Sequence, residues 1–122
     1  MRGVKKLENH KIYNIPFAQV YDLYVKKTER KGKNKEDVDK IIMWLTGYDE
    51  EDLKNVLENK VTFQEFFENA KELNPNREKI KGVICGIRIE DMSPSPMKEI
   101  RYLDKLIDEL AKGKAIGKIL RS

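Results

Sequence analysis

One histidine and one cysteine, His10 and Cys85, are the only side chains of their kinds in a 122-residue chain. A nucleophile–histidine pair needs a rigidly held imidazole. His10 falls in residues 1–13, read as an extended or frayed arm, so solvent exposure or docking is favoured over catalysis. Cys85 lies in the most apolar stretch and is expected as a buried small hydrophobe. Only Lys81 or Arg88 stands near enough in sequence to activate its thiol. His10 and Cys85 are 75 positions apart, which leaves no zinc site of the usual Cys/His type. The carboxylates of Asp49, Glu50, Glu51 and Asp52 are explained by helix capping and the helix dipole. A magnesium site from Glu90, Asp91 and a neighbour is the weaker reading of that pair. No P-loop and no G-x-G-x-x-G is present, and no cofactor or metal is expected.

Two groups of residues could bind rather than react. Lys26, Lys27, Arg30, Lys31 and Lys33 make a basic run suited to phosphates, with Trp44 and Tyr48 as candidate stacking rings for single-stranded nucleic acid. The bland alternatives are a solvated helix end for the lysines and core packing for the rings. Arg77, Arg88, Arg101 and Tyr102 could line a pocket for an anionic small molecule, provided they converge.

The elements that must position these residues are helices. Pro16 suits a first helical turn, and Phe17, Val20, Tyr21, Tyr24, Val25 and Thr28 fall on one helical face. Gly32 is placed to end that helix. Asn34 caps the next, which carries Val38, Ile41, Ile42 and Leu45 and ends at Gly47. Asp49 caps a third helix with Leu53, Val56 and Leu57 on its buried side. Thr62 and Glu65 form a capping box, with Val61 and Phe66 as its hydrophobic staple. Asn74 and Pro75 restart the chain. The segment at residues 80–90 fits helix or strand; lacking a remote strand to pair with, it is read as helix, with Gly82 and Gly86 allowing close helix packing. After the Ser93–Pro96 loop, a long helix runs from about Met97 to Lys112, with Ile100, Leu103, Ile107 and Leu110 as its apolar seam. Gly113 stops it, and Ile116, Ile119 and Leu120 make a final short turn. The fold class expected is all-α, a single compact bundle of five or six short helices over residues 14–122.

The segment around Gly47 has the helix-turn-helix look of a DNA reader. A recognition helix, however, puts its first residues against the duplex, and four carboxylates at 49–52 would be repelled there.

Composition narrows the function further. Charged residues are 38% of the chain, yet 25 Lys+Arg against 21 Asp+Glu leave only +4. The distribution is uneven: residues 26–35 hold six positive charges and one negative, and residues 112–122 hold four positive and none negative. Residues 36–58 hold eight acids against Lys40 and Lys54. A lone thiol excludes an internal disulfide and fits a reducing compartment. No apolar run has the length of a membrane span, and a cytoplasmic protein is expected.

The strings HKIYNIPFAQVYDLYVKKTERKGKNKEDVDKIIMWLTGYD (His10 to Asp49), NPNREKIKGVICGIRIEDM (Asn74 to Met92) and EIRYLDKLIDELAKGKAIGKIL (Glu99 to Leu120) resemble a family of small bacterial proteins known as domain of unknown function 2200. The resemblance implies a compact, mainly helical bacterial protein and carries no catalytic residues. Tyr13, Glu29, Arg30, Asn74, Asn76, Arg77, Arg101, Tyr102 and Asp104 are polar residues in those strings that packing alone does not require. They suit a binding surface or, more commonly, a structural polar network.

Three functions are expected, in this order. The first is a non-enzymatic interaction protein, with a protein partner or a second copy of the chain docking on an exposed apolar stripe of the 97–112 helix. The second is nucleic-acid binding through residues 26–33 and the tail lysines, which needs both basic segments on one face. The third is a small enzyme or anion-binding protein with the arginine-lined pocket.

Overall fold

Side chains at the helix starts fix most of the boundaries in the computed structural model, which describes residues 11–121. The helices are α1 (Phe17–Glu29), α2 (Lys35–Thr46), α3 (Glu50–Glu58), α4 (Phe63–Glu68), α5 (Pro96–Ala111) and α6 (Ile116–Ile119). Asn34 accepts the Asp37 amide at the start of α2, and Ser95 accepts the Lys98 amide at the start of α5. Asp49 with Asp52, and Thr62 with Glu65, close reciprocal capping boxes on α3 and α4. Each cap satisfies amides that the first helical turn leaves unpaired. Helix α1 has no side-chain cap; its Phe17 amide donates instead to the Val61 carbonyl (2.7 Å). The Phe63 amide returns a bond to Ile15 (2.8 Å), so α1 and α4 start together.

An aromatic cluster fills the space that this pairing encloses. Phe17 stacks on Phe66 with ring centroids 3.8 Å apart, and Phe63, Phe67 and Tyr48 pack around them. The Tyr48 hydroxyl donates to the Phe66 carbonyl (2.6 Å), as a buried phenol must find an acceptor. Gly47 makes this possible. It sits at φ +78°, ends α2 and turns Tyr48 inward.

Helix α5 is the central element. Ile100, Leu103, Leu106, Ile107 and Leu110 are each at most 2% exposed, packed in one core with residues of α1, α2 and α4. The expected docking stripe is therefore interior: the chain's own helices already cover the apolar seam of residues 97–112.

The segment at residues 80–90 is a correction to the helix expected there. Strands β1 (Val83–Ile84) and β2 (Ile87–Arg88) pair antiparallel as a hairpin. The strand needs no remote partner because it folds back on itself. Cys85 and Gly86 both take positive φ, +52° and +75°. Positive φ at both central residues is the requirement of a two-residue type I′ turn. Cys85 is therefore exposed at the tip, not buried. Gly82 and Gly86 mark a hairpin, not a helix contact. The hairpin lies on α5, where Lys105 donates to the Val83 carbonyl (3.3 Å). Residues 11–13, at the end of the expected arm, form a helical turn with Ile12 and Tyr13 packed on the core. The rest of that arm, with His10, lies outside the described residues.

The C-terminal turn is held from both ends. Ile119 is fully buried, and Arg121 forks onto Glu109 of α5 with Nη1–Oε1 at 2.6 Å and Nη2–Oε2 at 2.9 Å. Burial alone would raise the Glu109 carboxyl, but the hydrogen bonds and charge of Arg121, with Lys114 and Lys105 beyond it, outweigh that. They hold it below the ordinary carboxylate range.

A Cβ at residue 47 would meet the Glu72 amide nitrogen at 2.9 Å, whereas one at Gly32, also at positive φ (+77°), would meet nothing. Gly47→Ala is expected to lower unfolding free energy by roughly 3 kcal/mol and Gly32→Ala by about 1 kcal/mol, read from urea midpoints. Arg121→Ala removes the fork and leaves the buried Glu109 with the longer Lys114 contact (3.5 Å), and is expected to cost roughly 2 kcal/mol. Because the folded Glu109 is depressed, the pair's contribution is present above the unfolded carboxyl pKa and disappears as pH falls through the folded one. The stability gap between wild type and Arg121→Ala should therefore narrow in acid titrations below about pH 4.

Candidate functional site

Helices α1 and α5 run parallel, and two contacts show it. The Tyr24 hydroxyl donates to Asp104 Oδ1 (2.6 Å), and about one turn further along both helices Lys27 Nζ reaches Asp108 Oδ1 (3.4 Å). Both C-terminal ends consequently lie at one pole of the bundle. Lys112, just past the end of α5, meets the same carboxylate at Oδ2 (3.0 Å). Burial disfavours the charged Asp108, but its bonds to Lys112 and Lys27 outweigh that. Its pKa stays below the ordinary value. One ionised carboxylate thus joins the two basic segments of the sequence. Lys27 and Lys112, one from each basic segment, meet at this carboxylate.

The hinge after α1 is well fixed. Lys31 and Lys33 both donate their amides to the Thr28 carbonyl, and the buried Thr28 hydroxyl bonds back to the Tyr24 and Val25 carbonyls. Residues 26–33 carry five positive charges and one negative, and residues 108–118 carry three positive and two negative. Several of these cations have partners: Lys26 with Asp22, Lys27 and Lys112 with Asp108, and Lys114 with Glu109. Arg30, Lys31, Lys33 and Lys118 have no carboxylate within ion-pair distance among the described residues. Arg30 Nε instead donates to the Lys26 carbonyl (3.3 Å), close to the negative end of the α1 dipole.

Trp44 and Tyr48 stand elsewhere. Trp44 lies nine positions beyond the start of α2, about 14 Å along the helix. It is half-buried against the core, and its carbonyl accepts from Asn74 (3.3 Å). Tyr48 is buried, and burial followed by the Asp52 charge raises its phenol to about 12. Neither ring offers a stacking face beside the basic pole.

The arginine set does not converge. Arg77 forks onto Glu99 (2.8 and 3.2 Å) and also holds the Asn74 carbonyl (2.9 Å). Arg101 binds Asp104 (3.0 Å) and approaches Cys85 Sγ (3.5 Å), while its buried Nε has no partner. Arg88 is exposed on the hairpin, and Tyr102 is buried with the Lys98 ammonium 5.9 Å from its ring. Arg77 and Arg101 are thus each engaged in an ion pair. The polar residues of the family-like strings follow suit. Asn74 caps the 3₁₀ turn Pro75–Lys79, and Asp104 serves Tyr24 and Arg101. Tyr24 is the member that sequence reasoning places in the core for its ring alone. Burial, then the Asp104 charge and hydrogen bond, push its phenol well up, so it stays a neutral donor.

A cleft of about 630 Å³ opens between α2 and α3. Its floor is Tyr21, Met43, Leu53 and Leu57, and charged side chains of both signs form its rim. Asp39 at the rim is engaged by the Tyr21 hydroxyl (2.6 Å) and Lys35 (3.3 Å). Among the described residues, no three His, Cys, Asp or Glu side chains gather as a metal site, and no helix is long and apolar enough to cross a membrane.

Comparison with known proteins agrees with the fold. The crystal structure of an uncharacterised protein, SP1917, superposes with a TM-score of 0.85 at 46% identity, covering 90% of each chain. No curated protein matches. The family model described as an uncharacterised protein conserved in bacteria, domain of unknown function 2200, matches residues 11–121. The chain belongs to that bacterial family.

Proposed function

We propose that this is a small non-enzymatic binding protein of the cytoplasm whose ligand is nucleic acid, contacted at its phosphates by the pole where α1 and α5 end. The observation that carries the reading is Asp108, which Lys27 and Lys112 share and which draws two distant basic segments together. Phosphate contacts by lysine and arginine supply sequence-independent affinity through released counterions. The four cations without carboxylate partners are available for such contacts. Arg77 and Arg101 are engaged in structural ion pairs, which favours this reading over an enzyme built on an arginine pocket. Burial of the α5 seam favours it over a homo-oligomer formed through that helix. The single thiol supports a reducing compartment. The cleft between α2 and α3 keeps a protein partner as the second reading, because its floor is apolar and includes the adaptable Met43.

Fluorescence anisotropy with labelled tRNA and duplex DNA tests the proposal. With four phosphates neutralised, log affinity should fall with log salt at a slope of about −3.6, or roughly 150-fold between about 50 and 200 mM salt. Replacing Arg30, Lys31 and Lys33 by alanine should flatten that slope to about −1 and leave the far-ultraviolet circular dichroism unchanged. No binding at the lower salt, or binding indifferent to salt, would overturn the reading.

A further inference from the structure

We infer that the cleft between α2 and α3 is the docking site of this chain's own residues 1–10, a segment outside the described residues. On the floor of the cleft Leu53 is buried, and Met43 and Leu57 are half-buried. An apolar floor open to water favours an occupant that brings apolar side chains. Residues 1–10, MRGVKKLENH, supply Val4 and Leu7, with Arg2, Lys5 and Lys6 around them.

The charges match. The segment carries those three cations against Glu8 alone. On the rim of the cleft Lys35 is engaged by Asp39. Glu36, Glu50 and Glu58 have no cation within ion-pair distance among the described residues. Lys40 and Lys54 share the rim, but they are the only cations in residues 36–58, against eight acids. A basic segment is drawn toward that surplus, across a Debye length of about 8 Å at physiological salt.

The described chain also begins near the cleft. The Ile15 amide donates to the Ile12 carbonyl (3.2 Å), which turns the chain, and the Ile15 carbonyl accepts the Phe63 amide (2.8 Å). Pro16 pairs with Thr62, and the Phe17 amide donates to the Val61 carbonyl. Val61 stands four residues past Leu57 of the cleft floor. Ten residues reach about 33 Å when extended, long enough to run from this junction along all of α3, which is about 14 Å. Tethering decides between this occupant and a free protein. A segment on a short leash acts at an effective concentration in the millimolar range, so modest affinity fills the cleft, and any protein partner must displace it.

The test is nuclear magnetic resonance on the full chain with labelled methyl groups. Nuclear Overhauser contacts are expected from the Val4 and Leu7 methyls to Met43 and Leu57. They should survive about tenfold dilution, because the contact is intramolecular. Leu7→Asp should abolish them and shift the Met43 methyl resonance while those of Met92 and Met97 stay in place. Lys5→Glu/Lys6→Glu should weaken the same contacts. Their absence from the folded full chain overturns the inference, and so does a Met43 resonance indifferent to Leu7→Asp in a folded variant. Contacts that fade on dilution, or that join differently labelled molecules, overturn it in favour of a second copy. None of these outcomes bears on the nucleic-acid reading, which stands or falls on the anisotropy measurements.

Discussion

The parallel packing of α1 on α5 is the constraint from which the rest of the molecule follows, and the Tyr24–Asp104 hydrogen bond sets its register. The phenol is buried and cannot easily ionise, so it must donate. Asp104 must in turn accept, and Arg101 compensates its charge from the other side. A donor left unmatched at this depth would cost about 1–3 kcal/mol, enough to fix one sliding position of the two helices. With Tyr24 opposite Asp104, Lys27 is brought opposite Asp108 without further adjustment. The two helices then finish together, with Lys112 just past α5 on the same carboxylate as Lys27.

That arrangement also determines what is left for binding. A helix as apolar on one side as α5 must bury that side somewhere. Here α1, α2, α4, the hairpin and α6 all contact it, and its seam is closed. The apolar surface that would have served a partner is therefore interior. Outside, Leu23, Val83 and Ile87 stay exposed, and the charge is polarised. The whole of helix α2 (Lys35–Thr46) separates the basic hinge from the acidic start of α3.

Legibility of the fold in the sequence tracks the range of the interactions. Asn34, Asp49, Thr62 and Ser95 each cap an amide one turn ahead, and a side chain next to its target in sequence is readable there. Gly47 and Gly32 are readable because each ends a helix whose periodicity has already stopped. The hairpin is hidden although its second strand lies just across the turn. That turn is Cys–Gly, and cysteine at positive φ is a residue choice with no sequence signature. The apolar alternation is plain in the sequence, but a strand needs a partner, and the partner here is local rather than remote. Within the site, the lysines at 26–33 and in the tail are visible as composition. That they meet is not, because the contact that unites them joins residue 27 to residue 108. Asp108 stands four residues before Lys112, a spacing that shows that pair, but it gives no sign of its second cation.

The decisive question about the pole is whether its lysines exceed what the fold itself demands. Helix C-termini carry about half a negative charge each, so two adjacent ends account for about one positive charge. Glu29, Asp108 and Glu109 account for three more. Residues 26–33 and 108–118 together supply eight cations; including Asp22 and Arg121, which lie just outside those ranges and oppose each other in sign, changes nothing. A surplus of about four remains, equal to the number of cations that lack a carboxylate partner there. Helix ends and carboxylates together account for about half of the basic residues at this pole. The other half, Arg30, Lys31, Lys33 and Lys118, are exposed or half-buried without a carboxylate partner among the described residues, and like charges without partners are what arriving phosphates would neutralise.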